Sequence, residues 1–189
     1  MGIEVDEKSI DRLERFIALL MEWNAVHNLT GAKTREAVEA QVADSLYPLS
    51  FLPGRPESLL DIGTGAGFPG LVLACAWAET ETLLCEHLQK RAAFLRYAAG
   101  ELGLPHVQVA AKRVEALKPR PFALITSRAV TRTPTLIDWC RPFIGEKSQL
   151  LFYKGEQVTE ETEGLERCDF KLVTRGKRRY LWIKEPAKC

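Results

Sequence analysis

Ser58-Leu59-Leu60-Asp61-Ile62-Gly63-Thr64-Gly65-Ala66-Gly67-Phe68-Pro69-Gly70 reads as a buried strand running into a glycine-rich turn, with Pro69 standing where a helix takes its first residue. Glycines let such a turn adopt positive φ and let a ligand approach the backbone closely. A literal G-x-G-x-x-G occurs at Gly65, Gly67 and Gly70, the spacing of a dinucleotide fingerprint. That fingerprint begins immediately after its strand, however, and here Gly63 already opens the turn; counted from Gly63, the third glycine position holds Phe68. Asp61 would also repel a pyrophosphate, whereas a carboxylate suits a ligand that carries an ammonium group. NAD or FAD binding therefore stands as the runner-up. The next apolar run ends in Glu86, about twenty residues beyond the loop, where an acid accepts hydrogen bonds from a ribose diol.

Outward from this loop the chain alternates short apolar runs with helical patterns. Strands are expected near 58–62, 81–86, 106–110, 122–126 and 149–153, and helices near 69–77, 88–102, 113–117 and 134–141. That alternation means βαβ units and a parallel sheet. Ahead of it, Ile10, Leu13, Phe16, Ile17, Leu20 and Trp23 recur at helical spacing, and a second helix is expected over 34–46, opened by Thr34 and closed before Pro48. Pro53, Gly54 and Pro56 punctuate the junction, so residues 1–52 read as a helical extension and 53–189 as the main domain. A polar helix near 156–165 and strands at 169–174 and 179–184 complete the chain.

With 189 residues the chain is sized for a single core. The longest apolar stretch, Leu71 to Ala78, is far below the ~20 residues of a membrane span, and the polar start MGIEVDEKSI does not read as a signal peptide. The five cysteines show neither a disulfide framework nor metal-ligand spacing, so no metal is expected and the chain reads as soluble, reduced and cytoplasmic. The net charge of +1 hides a segregation. Residues 86–132 hold nine Lys/Arg against three Glu, residues 156–169 hold six acids against Arg167, and residues 171–188 hold seven Lys/Arg against Glu185. Such segregation is compatible with a polyanionic partner.

Asp61-x-Gly63-x-Gly65-x-Gly67 followed by an acid on the next strand resembles the S-adenosylmethionine site of class I methyltransferases. Further segments narrow the resemblance: Trp23-Asn24 through Asn28-Leu29-Thr30, Asp44-Ser45-Leu46, Phe68-Pro69-Gly70, Leu88-Gln89-Lys90-Arg91, Arg113-Val114-Glu115, Ser127-Arg128-Ala129 and Lys154-Gly155. This ordered set, spread over roughly residues 10–184, resembles the RsmG family, also called glucose-inhibited division protein B. The resemblance implies a Rossmann-like α/β fold with a mostly parallel seven-stranded sheet, an antiparallel strand from the last hairpin, and an N-terminal helical extension. It implies S-adenosylmethionine as cofactor and methylation of guanine N7 in the 530 loop of 16S rRNA, position 527 in the usual rRNA numbering. It also implies cofactor contacts near Gly63, Phe68, Val114, Glu115 and Arg128, with Val114 and Glu115 along the adenine. The sequence departs from the family pattern at Gln41, where many members carry His, at Glu86, where Asp is frequent, and at Arg178-Arg179-Tyr180-Leu181, where Arg-His-Leu is common.

The residue chemistry agrees with that target. Methylation at a pyrimidine C5 needs a cysteine nucleophile, and Cys140, following Trp139 inside a helical stretch, reads as core. The (Asn/Asp/Ser)-Pro-Pro-aromatic turn typical of exocyclic-amine methylation is replaced by Ser127-Arg128-Ala129. Guanine N7 offers a free lone pair, so alignment and exclusion of water suffice. Arg128 is expected at the cofactor–guanine junction, where a guanidinium reads O6 and N7 in bidentate form, with Lys154 and Arg178 nearby. Asp44 is read either as the acceptor for the N1/N2 edge of the base or as a helix-end ligand. Lys90, Arg91, Arg96, Lys112 and Arg113 are expected to contact phosphates, and Arg178 and Arg179 are candidates for the same role. The expected partner is 16S rRNA, within the 30S subunit or an assembly intermediate, and the chain is expected to act as a monomer without a membrane. A small-molecule methyltransferase and a non-catalytic RNA- or nucleotide-binding protein are the alternatives.

Overall fold

The computed structural model of the chain describes residues 5–162, 165 and 167–188. Two capped helices come first. In α1 (Glu7–His27) the Asp6 side chain accepts from Ser9 N–H at 2.7 Å, and Asn28 ends the helix in the left-handed region at φ 51°. In α2 (Arg35–Leu46) Thr34 Oγ1 accepts from Ala37 N–H at 3.2 Å. Leu13, Phe16, Ile17 and Leu20 give α1 one buried stripe. That stripe shares an apolar cluster with α3 (Gly70–Ala76) and α4 (Gln89–Glu101), so the first two helices are packed onto the face of the sheet that those helices cover.

The strands are β1 (Ser58–Ile62), β2 (Glu81–Cys85), β3 (Val107–Ala110), β4 (Leu124–Arg128), β5 (Gln149–Lys154), β6 (Phe170–Arg175) and β7 (Arg178–Ile183). They form one seven-stranded sheet in the order β3-β2-β1-β4-β5-β7-β6. β1 pairs in parallel with β2 on one side and β4 on the other, and β7 runs antiparallel to both β5 and β6. The doubly covered sheet explains the continuous apolar runs of its central strands. Leu59 packs toward α3, whereas Leu60 and Ile62 pack on the other face with Leu136 and Ile137 of α5 (Thr133–Cys140). The strand order reverses between β1 and β4, and the crevice beyond the carboxyl ends of strands at such a switch point is where ligands bind in open α/β sheets.

The structure corrects several boundaries. β4 begins and ends two residues later than the apolar pattern suggests, because Phe122 N–H bonds Phe143 rather than the sheet and Ser127 Oγ donates to Ile62 O at 2.9 Å, holding the strand end to β1. Arg128 is therefore the last residue of a strand, paired with Tyr153, and not part of a loop. The expected helix over 113–117 is a single 3-10 turn, Val114–Ala116, followed by extended backbone at Leu117 ahead of Pro119. Pro69 precedes α3 rather than opening it. The helix expected over 156–165 is limited to α6 (Val158–Glu161), and its positions 163 and 164 lie outside the described residues. Cys168 is disulfide-bonded, so the reading of an all-reduced set of cysteines is amended there; spacing rules detect a framework but not one isolated bridge. Among the described residues no helix is long and apolar enough to cross a membrane.

Two glycines test the packing. A Cβ at Gly70 would stand 2.5 Å from Asp61 Cβ and Oδ2 and 2.6 Å from Leu84 Cδ2, whereas one at Gly100 would meet nothing within 4 Å. Gly70→Ala is expected to lower the unfolding free energy by about 1–3 kcal/mol in urea titrations. Gly100→Ala, inside α4, is expected to raise it by up to about 1 kcal/mol. Equal effects of the two changes would contradict the packing around Gly70.

Candidate functional site

The glycine turn is built around a carboxylate that faces away from the crevice. Asp61 is fully buried; its Oδ2 accepts from Gly70 N–H at 2.8 Å and its Oδ1 from Thr126 Oγ1 at 2.8 Å. Burial pushes its pKa from 3.8 up to about 6, against the lowering effect of those hydrogen bonds. The expectation that Asp61 meets a ligand's ammonium group therefore needs correcting. It lies behind the loop, tying β1 to β4 and to the start of α3.

The loop is pinned from its other side. Gly63 and Thr64 donate to Cys85 O at 2.9 and 3.2 Å, and Gly67 and Phe68 donate to Thr64 O at 3.0 and 2.9 Å. Gly63, Gly65 and Gly67 all have positive φ, at 69°, 61° and 106°. Gly67 does not face the crevice: a Cβ there would press on Leu71 at 3.0 Å and on Phe16 at 3.3 Å. Gly63 and Gly65 do face it, and Gly65 N–H donates to Glu86 Oε2 at 3.0 Å. Glu86 Oε1 accepts from Leu88 N–H at 2.8 Å. Each of these oxygens keeps a second lone pair, so this buried acid is fixed at the floor of the crevice and still has acceptor capacity.

The resulting cavity, about 410 Å³, is lined by the glycine loop, Phe68, Glu86, His87, Arg91, Arg128 and Val130, and closed by Leu29, Thr30 and Gly31. A second cavity of about 230 Å³ adjoins it at Gly63, His87 and Val130 and is bounded by Cys85, Lys112, Arg113, Val114 and Glu115. Sequence reasoning missed the wall at residues 29–31 as a wall. Its signal is Asn24, which is buried, donates to Ala32 O at 2.8 Å and accepts from Thr30 N–H at 2.9 Å. Val130 was also missed. It follows Ala129 at φ 54°, a conformation that no sequence pattern announces.

Arg128 ends at the rim, with its Cζ 4.8 Å from the centre of the Phe68 ring. Its Nη2 donates to Gln41 Oε1 at 2.8 Å, and its Nη1 is 3.7 Å from Asp44 Oδ2. Asp44 Oδ1 accepts from Arg178 Nε at 2.9 Å and Tyr180 Oη at 2.8 Å, while Asp44 Oδ2 is buried without a hydrogen-bond partner. Asp44, Arg128 and Arg178 are thus brought together, joined by Gln41 and Tyr180. Lys154 is not part of that cluster through its ammonium. Its Nζ donates to Thr131 O and Glu161 Oε2, both at 2.8 Å, and Glu161 also accepts from Thr133 N–H and Oγ1. Burial raises Glu161, yet the bonds from Lys154 and Thr133 outweigh it and hold its carboxyl below the usual range. Lys154 therefore straps the 129–132 loop, which corrects its expected place beside the reacting atoms.

The basic residues separate into exposed and engaged groups. Arg91 donates to Leu29 O at 3.1 Å, Arg96 to Val109 O at 3.3 Å, and Arg179 folds back onto Gly176 O at 2.7 Å. Lys90, Lys112 and Arg113 are exposed. Cys85, at the second cavity, donates to Lys112 O at 3.2 Å, and burial pushes its thiol up to about 12, which removes it as a nucleophile at neutral pH.

This sheet, with its crevice at the β1/β4 switch point, defines the Rossmann-like methyltransferase fold. A methyltransferase from Geobacter sulfurreducens matches it at TM-score 0.68 and 12% identity over 89% of each chain. A ribosomal protein L11 methylase from Lactobacillus delbrueckii subsp. bulgaricus matches at TM-score 0.64 and 16% identity over 82% of this chain and 80% of that one. The family model described as GidB, rRNA small subunit methyltransferase G, matches residues 9–177. The ribosomal RNA small subunit methyltransferase G of Wolinella succinogenes is 52% identical over 183 residues, 95% of this chain and 92% of that protein. Its counterpart in Aliarcobacter butzleri is 41% identical over 97% and 94% of the two chains. The chain belongs to this family.

The raised pKa of Asp61 sets a pH dependence. The folded chain holds this proton where the unfolded chain releases it, so its stabilising contribution is complete below about pH 4 and is lost as the pH rises through about 6. Asp61→Asn can still accept from Gly70 N–H and donate to Thr126, but does not titrate. Between pH 4 and pH 7 the unfolding free energy of the wild type is expected to fall relative to this variant by roughly 3 kcal/mol. Parallel profiles in urea titrations would contradict the burial of Asp61.

Proposed function

We propose that this protein transfers a methyl group from S-adenosylmethionine to N7 of a guanine in 16S rRNA, in the 530 loop at position 527, acting as a cytoplasmic monomer on the 30S subunit or an assembly intermediate. Family membership supports rRNA as the acceptor. The observation that carries the chemistry is Arg128 at the C-terminal end of β4, on the rim of the crevice that Glu86 floors.

The residues present fit the cofactor. Glu86 keeps free acceptor positions for a ribose diol, Gly63 and Gly65 leave the backbone accessible, and Arg91 and Arg128 place cations at the same cavity for a carboxylate. The larger cavity lies in the size range of small-molecule sites, and the smaller one adjoins it. Val114 and Glu115 line the smaller one, the place that the resemblance gives to adenine. When bound, S-adenosylmethionine supplies an electrophilic methyl group on a sulfonium.

The protein's own part is to hold, orient and exclude water. Guanine N7 has a lone pair and no proton, so no residue has to act as a base. Arg128 presents a guanidinium already oriented by Gln41 and by stacking on Phe68, which suits donation to O6 and leaves the N7 lone pair free to take the methyl group. Asp44 has one carboxylate oxygen without a hydrogen bond, which suits it to accept from the N1/N2 edge. Lys154 acts at one remove, by holding the 129–132 loop that walls the site. Lys112 and Arg113 border the smaller cavity and Lys90 precedes Arg91 on α4; all three are exposed and suit phosphate contacts.

Purified protein incubated with tritiated S-adenosylmethionine and 30S subunits from a strain lacking this methylation is expected to label 16S rRNA at one guanine, mapped by strand cleavage specific for N7-methylguanine. Label on another atom would keep the fold and overturn the target. Two substitutions are expected to separate binding from transfer. Glu86→Ala should weaken cofactor binding in calorimetry by about 10- to 100-fold, the loss of hydrogen bonds to a charged acceptor. Arg128→Ala should lower kcat by about a hundredfold. An Arg128→Ala enzyme with unchanged turnover and affinity would remove the role given to that residue.

A further inference from the structure

Beside the crevice, α1 and α4 lie antiparallel. Arg91 near the start of α4 bonds Leu29 just past the end of α1, and Arg15 of α1 bonds Glu101 O at the end of α4. Between these ties a cluster of rings reaches the surface. Trp23 is half-buried and lies 5.3 Å from Tyr97 at an interplanar angle of 32°, 5.3 Å from His27 and 5.5 Å from Phe94. Tyr97 is 44% exposed and Val26, one turn from Trp23, is 74% exposed. Among the described residues, none covers the Tyr97 ring or Val26 beside this tryptophan.

Charges of both signs surround this cluster. At the end nearest the crevice stand Lys90, two turns from Tyr97 on α4, and Arg91, which itself lines the cavity. Arg96 adjoins Tyr97 in α4, Glu22 adjoins Trp23 in α1, and the far end holds Glu101 together with Arg15. Aromatic faces flanked by cations on the side of the active crevice match a strand of unpaired nucleotides, whose bases stack while their phosphates meet the cations. A protein partner would instead call for a wider apolar centre inside a polar rim.

We propose that the Trp23–His27–Tyr97 cluster is a stacking platform for single-stranded RNA next to the methylated nucleotide. The strand leaves the crevice over Arg91 and Lys90 and lays an unpaired base on Tyr97. The platform holds the flanking RNA while the target base is in the crevice, and so acts on substrate affinity rather than on transfer. The proposal rests on RNA being the methyl acceptor.

The test is fluorescence anisotropy with a labelled single-stranded RNA and the duplex of the same sequence, with cofactor binding followed by calorimetry. Tyr97→Ala, a change at an exposed side chain, is expected to weaken single-strand binding about tenfold, to affect the duplex much less, and to leave cofactor binding unchanged. Tyr97→Phe keeps the ring and should bind as the wild type does. Lys90→Ala should weaken both forms and lower the salt slope by about 1. Wild-type affinity in Tyr97→Ala, or an equal loss on both forms, would overturn the platform while leaving RNA methylation intact. Loss on whole 30S subunits with free RNA unaffected would also overturn it, in favour of a protein contact. A wild-type chain that binds the cofactor but no RNA would overturn the RNA reading and the platform with it.

Discussion

The carboxylate of Asp61 joins three elements at one point: the end of β1, Thr126 on β4 and the first N–H of α3. Taking a carboxylate out of water is costly, and the two hydrogen bonds offset only part of that cost, as the elevated pKa records. Much of the loop follows from this constraint. Gly70 has no room for a Cβ because Asp61 fills it, and the chain must leave β1, turn through three glycines and return to that carboxylate within nine residues. The turn so fixed presents Gly63 and Gly65 to the crevice and hands Gly65 N–H to Glu86. One buried acid thus shapes the loop from behind, and another receives it in front.

The same division of labour recurs around Arg128. Its backbone is fixed in the sheet, and its side chain is fixed by residues distant in sequence: Gln41 and Asp44 from α2, with Arg178 and Tyr180 of β7 holding Asp44. Tyr153 of β5 reinforces the same helix by donating to Ser45 O at 2.7 Å. The N-terminal helices are consequently part of the rim as well as of the core. α2 orients the guanidinium, the segment after α1 walls the cavity, and α1 itself carries the ring cluster toward α4.

The sequence made the alternation of strands and helices legible, because parallel strands covered on both faces are apolar throughout and the glycine turn is flanked by proline. The family was legible because its motifs fall on turns and rim positions. Individual roles were harder to read. Charge suggests Asp61 as a partner for the cofactor's ammonium group and Lys154 as a neighbour of Arg128, but each is satisfied by a group that only tertiary structure supplies, Gly70 and Thr126 in one case and Glu161 in the other. Gln41, a departure from the family pattern with no evident role in the sequence, is an acceptor for Arg128. Composition does not sort the basic residues either: Arg91, Arg96 and Arg179 donate to backbone carbonyls, whereas Lys90 is exposed.

The architecture of the site depends most on Asp61 being a buried, loop-holding carboxylate. Titrating the protein with ¹³C-labelled aspartate and following the Asp61 side-chain carboxyl by NMR, assigned through Asp61→Asn, tests this directly. This carboxyl is expected to titrate near pH 6, away from the exposed aspartates. Titration near pH 4 together with them would mean a solvated Asp61, and would contradict the loop architecture from which the site has been built.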